Sequence, residues 1–229
     1  MKIKKRVQKL IALALALITL SNCVAVAFAS GENPADQIGV NLNRLMQPLE
    51  ACVSVNEDGI FEIDNVAFSE ALEITGNALL AVIREEAGIV TIDDLHNAIT
   101  EGVASVNASI TNEDLVFVDS DTLVDASDDS YYLQGGSTYS TVHWWGVTHY
   151  KSTTAANTWV RKLCQAANMG GMMGAIVGTT FGVWCGLAIT ITSSYLNRLA
   201  TDVSYYNSTS PNGIVAKIYW ILAYKIRAQ

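Results

Sequence analysis

His143 and His149 lie six residues apart in Tyr139–Lys151 (YSTVHWWGVTHYK), a run rich in β-branched and aromatic residues and short of helix formers. Read as one strand, that even spacing puts both imidazoles on one face, where two ring nitrogens could begin a metal site. A third ligand such as Asp202 would be needed, and nothing in the spacing holds Asp202 beside them; His96 is the only other histidine. Cys164 or Cys185 with His149 would be the parts of a thiolate nucleophile, but an apolar setting in an exported chain opposes a reactive thiolate. Residues 131–229 contain a single acid, Asp202, so paired carboxylates for acid–base work are missing. The glycines do not form a phosphate-cradling loop, and no C-x-x-C or Cys/His zinc spacing is present. The expectation is a chain that is not an enzyme and uses no metal or cofactor.

The strongest pattern is physical. Gly170, Gly174, Gly178, Gly182 and Gly186 recur every four residues inside a stretch without charge from Leu163 to Asn197. On a helix they form one stripe. Each would cost about 0.8–1.0 kcal/mol relative to alanine, so helix propensity does not account for them. A smooth stripe lets a second backbone approach closely, as small-xxx-small patterns do in membrane helix pairs. The 23 residues Met169–Ile191 would span roughly 34 Å as a helix, against about 30 Å of bilayer hydrocarbon. Trp144, Trp145, Trp159, Trp184 and Trp220, with Arg161, Lys162 and Arg198 flanking the apolar run, suit a membrane interface. The alternative is that the tryptophans form the core of a compact, non-lytic extracellular module around a Gly-packed helix.

Charge divides the chain. Residues 30–130 carry 21 acids against Arg44 and Arg84, whereas residues 131–229 carry Asp202 against seven basic residues. All five Trp and all nine Tyr lie after residue 130. Residues 1–29 read as an export signal: a basic n-region to Lys9, an apolar h-region Leu10–Leu20, and Ala27-Phe28-Ala29 as the cleavage site. Lipoprotein processing at Cys23 is opposed by Asn22 just before it. Secretion makes disulfides available; Cys164 and Cys185 share the cationic half and are the natural pair, leaving Cys52. On one unbroken helix those two would stand about 31 Å apart, so a bridge requires a hairpin.

The expected organisation is a signal peptide (1–29), an acidic helical pro-region (30–118), an acidic linker and processing region (119–130) and a cationic, aromatic, Gly-rich membrane-active module (131–229). Helical spacing marks Asp36–Leu49, Val66–Ala87 and Asp93–Val106. In the cationic half, Tyr139–Lys151 reads as one strand and Ser152 as the N-cap of a helix ending near Gly170. A Gly-striped helix follows from about Gly171 to Leu199, and Ile214–Ile226 reads as one closing strand. The fold class expected is mainly α with a small β component, the cationic half being a strand, a helical hairpin and a strand. An acidic companion would mask the cationic part from the producer's own anionic lipids.

The His143-Trp144-Trp145-Gly146 strand, Lys151-Ser152, the small-residue apolar hairpin and the terminal Ile-rich strand resemble the C-terminal regions of secreted bacteriocin-like precursors of Gram-positive bacteria. The layout is also similar to that of sporulation-delaying toxin precursors. The resemblance implies an antibacterial protein acting on the envelope of related bacteria, and it carries over no catalytic residues. The partners expected are an anionic bacterial membrane, an immunity protein, and further copies through the glycine stripe; nucleic acid is not among them.

Overall fold

The computed structural model describes residues 34–83, 89–126, 138–169 and 191–229, with side chains from Leu42 onward. Helix α1 (Pro34–Glu50) opens with proline at a first-turn position, where its missing N–H has no intrahelical partner to lose. Leu42, Met46 and Leu49 follow at helical spacing and are buried. A short antiparallel hairpin comes next, β1 (Val53–Val55) and β2 (Phe61–Ile63). Its turn is organised by Asn56, whose Oδ1 accepts from Asp58 N–H and Ile60 N–H, both at 3.0 Å.

Helix α2 (Asn65–Val82) starts at Asp64, whose carboxylate accepts from Val66 N–H and Ala67 N–H. Helix α3 (Ile92–Thr111) starts with a reciprocal capping box between Thr91 and Asp94. Three hydrogen bonds to the Asp94 carboxylate, first from Thr91, hold its pKa below the usual carboxylate range. The two helices bury Phe68, Leu72 and Leu79 on one side and Leu95, Ile99, Val103 and Val106 on the other. Asn107 of α3 clamps the small hairpin, accepting from Phe61 N–H at 2.9 Å and donating to Phe61 C=O at 2.8 Å.

The dominant element is a six-stranded antiparallel sheet in sequence order. Its strands are β3 (Leu115–Phe117), β4 (Leu123–Asp125), β5 (Tyr139–His143), β6 (Gly146–Lys151), β7 (Ile214–Tyr219) and β8 (Tyr224–Ala228). Between β6 and β7 the chain builds α4 (Thr153–Asn168), capped by Ser152, and α5 (Ser193–Ser208), capped by Thr192. With five helices and eight strands described, the fold is a helix-and-sheet mixture, which corrects the mainly α expectation.

The correction has definite causes. Tyr139–Lys151 is a hairpin, not one strand, because the chain reverses at Trp144-Trp145 into Gly146. Gly146 has φ +154°, and a Cβ there would strike the Ile218 carbonyl oxygen of the neighbouring strand. Ile214–Ile226 also reverses, through Trp220–Ala223, with Leu222 at φ +58° and Tyr219 N–H donating to Ala223 C=O at 2.9 Å. Leu123–Asp125, inside the stretch read as a linker, is a strand that pairs Leu123 with Val142 of β5. The Gly-striped helix cannot run unbroken to Leu199, because Thr192 is extended and caps a helix that begins at Ser193. The remainder of that stretch, residues 170–190, lies outside the described residues.

One hydrophobic core runs from Leu42 to Ile226 and ignores the charge boundary. Its joint is Trp220, 3% exposed. The indole N–H donates to Trp144 C=O at 2.6 Å, and the Trp220 backbone N–H donates to Trp145 C=O at 3.0 Å. On its other side the ring lies so close to Gly102 of α3 that any side chain at that position would enter it.

Candidate functional site

Helices α4 and α5 pack against each other and cover one face of the sheet. At one end Asn207 Nδ2 donates to Thr153 C=O at 3.2 Å and Asn157 Oδ1 at 3.0 Å. At the other end Ser193 Oγ donates to Ala167 C=O at 2.8 Å. The pair is therefore antiparallel and in register, with residue 153 level with 207 and 167 level with 193. By that register Lys162 stands level with Arg198, and Arg161 one residue away. All three are exposed. Past this collar of three cations α4 continues without charge from Leu163 to Asn168 and α5 lacks charge from Ser193 to Asn197, with Leu163, Ala166, Ala167, Tyr195 and Leu196 buried in the core, and Met169, just past α4, is 63% exposed. Arg198 Nε lies 3.6 Å from the half-buried Asp202, a partly exposed pair of small energetic weight. Asp202 also accepts from Tyr224 O–H at 2.7 Å, which occupies it structurally.

The two histidines are separated by the hairpin. His143 pairs with Gly146 and His149 with Ser140, so their side chains leave opposite faces of the sheet and cannot share a metal. Among the described residues no three His, Cys, Asp or Glu groups are gathered for a metal ion. His149 is 2% exposed beneath α4, with Nδ1 2.7 Å from Ser140 Oγ and the ring 5.2 Å from that of Trp159. Its Nε2 has no hydrogen-bond partner, so no carboxylate orients the ring as a triad would require. Burial, then the Lys151 ammonium, pushes its pKa well below the ordinary histidine value and keeps it neutral. Lys151 lies 5.1 Å above the Trp159 ring, and burial followed by Lys162 lowers it to about 8.

On the outer face, away from α4 and α5, His143 stacks on Trp145 at 4.6 Å, and Trp145 packs on Tyr219 at 4.7 Å. His143 is hydrogen-bonded to Thr141 at 3.1 Å and to Asp121 C=O at 3.3 Å; burial outweighs the nearby Asp121 carboxylate and lowers its pKa. Lys217 lies 5.5 Å over Trp145, and its pKa is lowered by burial and then by the Arg227 and Lys225 charges. Burial raises the Tyr219 phenol to about 12, and its O–H donates to Asn43 of α1 at 2.6 Å.

Of the residues singled out from sequence, Trp144, Trp159 and Trp220 are core residues here, Trp145 is half-buried, and Arg161, Lys162 and Arg198 form the collar. Cys164 is half-buried on α4. Gly170, Gly174, Gly178, Gly182, Gly186, Trp184 and Cys185 lie outside the described residues. Sequence reasoning did not reach the Gly102–Trp220 joint or the Asn107 clamp, which depend on contacts distant in sequence. The outer-face grouping of Lys217, Lys225 and Arg227 was visible as three odd-numbered positions, a one-face signature on strands. Comparison with protein-family models, curated proteins and solved structures finds no match for this chain.

Proposed function

We propose that the chain is an exported, bacteriocin-like antibacterial precursor whose paired helices α4 and α5 direct an uncharged tip, and the apolar segment between them, at the anionic membrane of a target bacterium. What carries the reading is the collar. Arg161, Lys162 and Arg198 stand at one level of the helix pair and are exposed, and the sequence between Lys162 and Arg198 carries no charge. Cations at a headgroup plane with apolar chain beyond them is the arrangement that lowers the free energy of partial insertion, by about 1 kcal/mol per basic residue near anionic lipid. Among the described residues no helix is long and apolar enough to cross a membrane.

The acidic half acts as a folded companion in this reading. It masks by packing as well as by charge, since α3 sits on Trp220 of the cationic half. Removing it by cleavage near the 119–130 region would uncover Trp220 and the edge of β5. The test is depolarisation of a Gram-positive indicator strain by the secreted protein, followed with a potential-sensitive dye. Loss of potential supports the reading, and full retention of potential at all doses refutes it.

A second reading, a non-lytic extracellular interaction module, draws on a specific observation: Trp144, Trp159 and Trp220 are each 5% exposed or less. Retained potential together with an undissociated, fully folded secreted chain would favour that reading.

A further inference from the structure

Lys217 and Lys225 stand directly opposite each other across β7 and β8, and Arg227, paired with Val215, falls on the same outer face. Pleated-sheet spacing puts the two lysine Cβ atoms about 5 Å apart and Arg227 about 7 Å along the strand. Like charges placed directly opposite destabilise a sheet. None of the three makes an ion pair with a described residue. The carboxylates bordering this face, Asp119 and Asp121, act on His143 near β4. Lys217 rests over Trp145, and Tyr139 stacks on Tyr150 with ring centroids 4.3 Å apart. Lys217 and Lys225 are half-buried and Arg227 is exposed. The Lys217 stem therefore runs along the sheet to Trp145, and a half-buried stem with a charged head is a snorkelling arrangement that suits a plane of headgroups. Among the described residues these three cations have no ion-pair partner, so an external anion would relieve their mutual repulsion.

We propose that the outer face of β7 and β8 docks on anionic phospholipid headgroups, with Lys217, Lys225 and Arg227 as the contacting cations. The inference rests on the membrane-directed reading but assigns it a second surface, on the opposite side of the sheet from the α4–α5 pair.

The test is co-sedimentation of the mature chain from Ser30 with vesicles of phosphatidylglycerol or of phosphatidylcholine, comparing wild type with Lys217→Gln/Lys225→Gln/Arg227→Gln. With about 1 kcal/mol, or fivefold, for each basic residue near the surface, the triple variant should lose about a hundredfold in partitioning to phosphatidylglycerol. It should change little with phosphatidylcholine. A Lys217→Arg/Lys225→Arg variant should keep the binding, and wild-type binding should weaken as salt rises. Unchanged partitioning of a folded triple variant overturns the proposal. So does a triple variant that loses binding to soluble polyphosphate but keeps its vesicle binding, since the face would then read a polymer. Leakage measured on the same vesicles separates this proposal from the function it rests on. Cation-dependent binding without leakage leaves the docking face standing and removes the permeabilising role. Leakage and binding that both survive neutralisation do the reverse.

Discussion

Gly102→Ala sets two magnitudes against each other with opposite signs. Gly102 lies in the interior of α3, and alanine there should stabilise an isolated helix by about 0.8–1.0 kcal/mol. The added Cβ, however, would lie 2.6 Å from both Cδ1 and Cδ2 of Trp220, and closer still to Cγ. Ordinary carbon contacts are about 3.5–4.0 Å. Trp220 cannot swing away freely, because its Nε1–H is held by Trp144 C=O and its backbone N–H by Trp145 C=O. Overpacking of this kind costs about 1–3 kcal/mol or more. With the ring held on two sides the cost falls in the upper part of that range, so the clash outweighs the propensity gain and the variant should be destabilised by up to about 2 kcal/mol net. A chain of this size should show Tm lower by about 2–4 °C per kcal/mol, with the urea midpoint falling at unchanged slope. Trp220→Leu should itself be destabilising, but in its background Gly102→Ala should become neutral or favourable, a coupling that only contacting residues show. Equilibrium urea unfolding of the four proteins measures it. A Gly102→Ala variant more stable than wild type, or strictly additive effects, would refute the claim that the acidic and cationic halves share one core.

Two further outcomes are expected. The unfolded His149 imidazole titrates near 6.5 and the folded one well below it, so the unfolded chain takes up the proton first. Stability should be full above about pH 6.5 and fall as pH drops below it, by up to about 1.4 kcal/mol per unit per histidine. His143 adds in the same direction. His149→Phe should flatten the slope, and an unchanged slope in urea titrations from pH 7 to 5 would contradict the buried neutral imidazole. Non-reducing peptide mapping of the chain produced under oxidising conditions should recover Cys164 joined to Cys185 and Cys52 as a free thiol. Burial and then the Asp64 carboxylate raise the Cys52 pKa, so it should alkylate slowly at pH 8. Cys52 joined to either partner would reject that pairing.

The helices of the acidic half were legible because their apolar residues keep a 3.6-residue period and their starts carry strong caps, Asp64 and the Thr91–Asp94 box. The strands β1 to β4 were not, since three residues cannot display a period of two. The hairpin at Trp144-Trp145 lacks the Asn-Gly or Asp-Gly signal of a tight turn, and the reversal at Trp220–Ala223 places Leu222, not glycine, at positive φ. Both turns are held instead by the indole of Trp220 and its backbone, a tertiary cause invisible to local reasoning. Losing those reversals also merged the two faces of β5 and β6, which is why His143 and His149 read as neighbours. The cations Arg161, Lys162 and Arg198 were visible as flanks of an uncharged run. That they stand at one level follows only from the α4–α5 register set by Asn207 and Ser193.

The central claim, that the exported chain acts on anionic membranes through the collared α4–α5 tip, is tested most directly by dye release from vesicles. The chain from Ser30, intact and cleaved within residues 119–130, is added to phosphatidylglycerol vesicles under oxidising and reducing conditions. The account predicts release that is weaker from phosphatidylcholine, increases when the acidic half is gone, and falls when Arg161, Lys162 and Arg198 are all changed to Gln. No release from phosphatidylglycerol by either form, with the protein folded by circular dichroism, would contradict it.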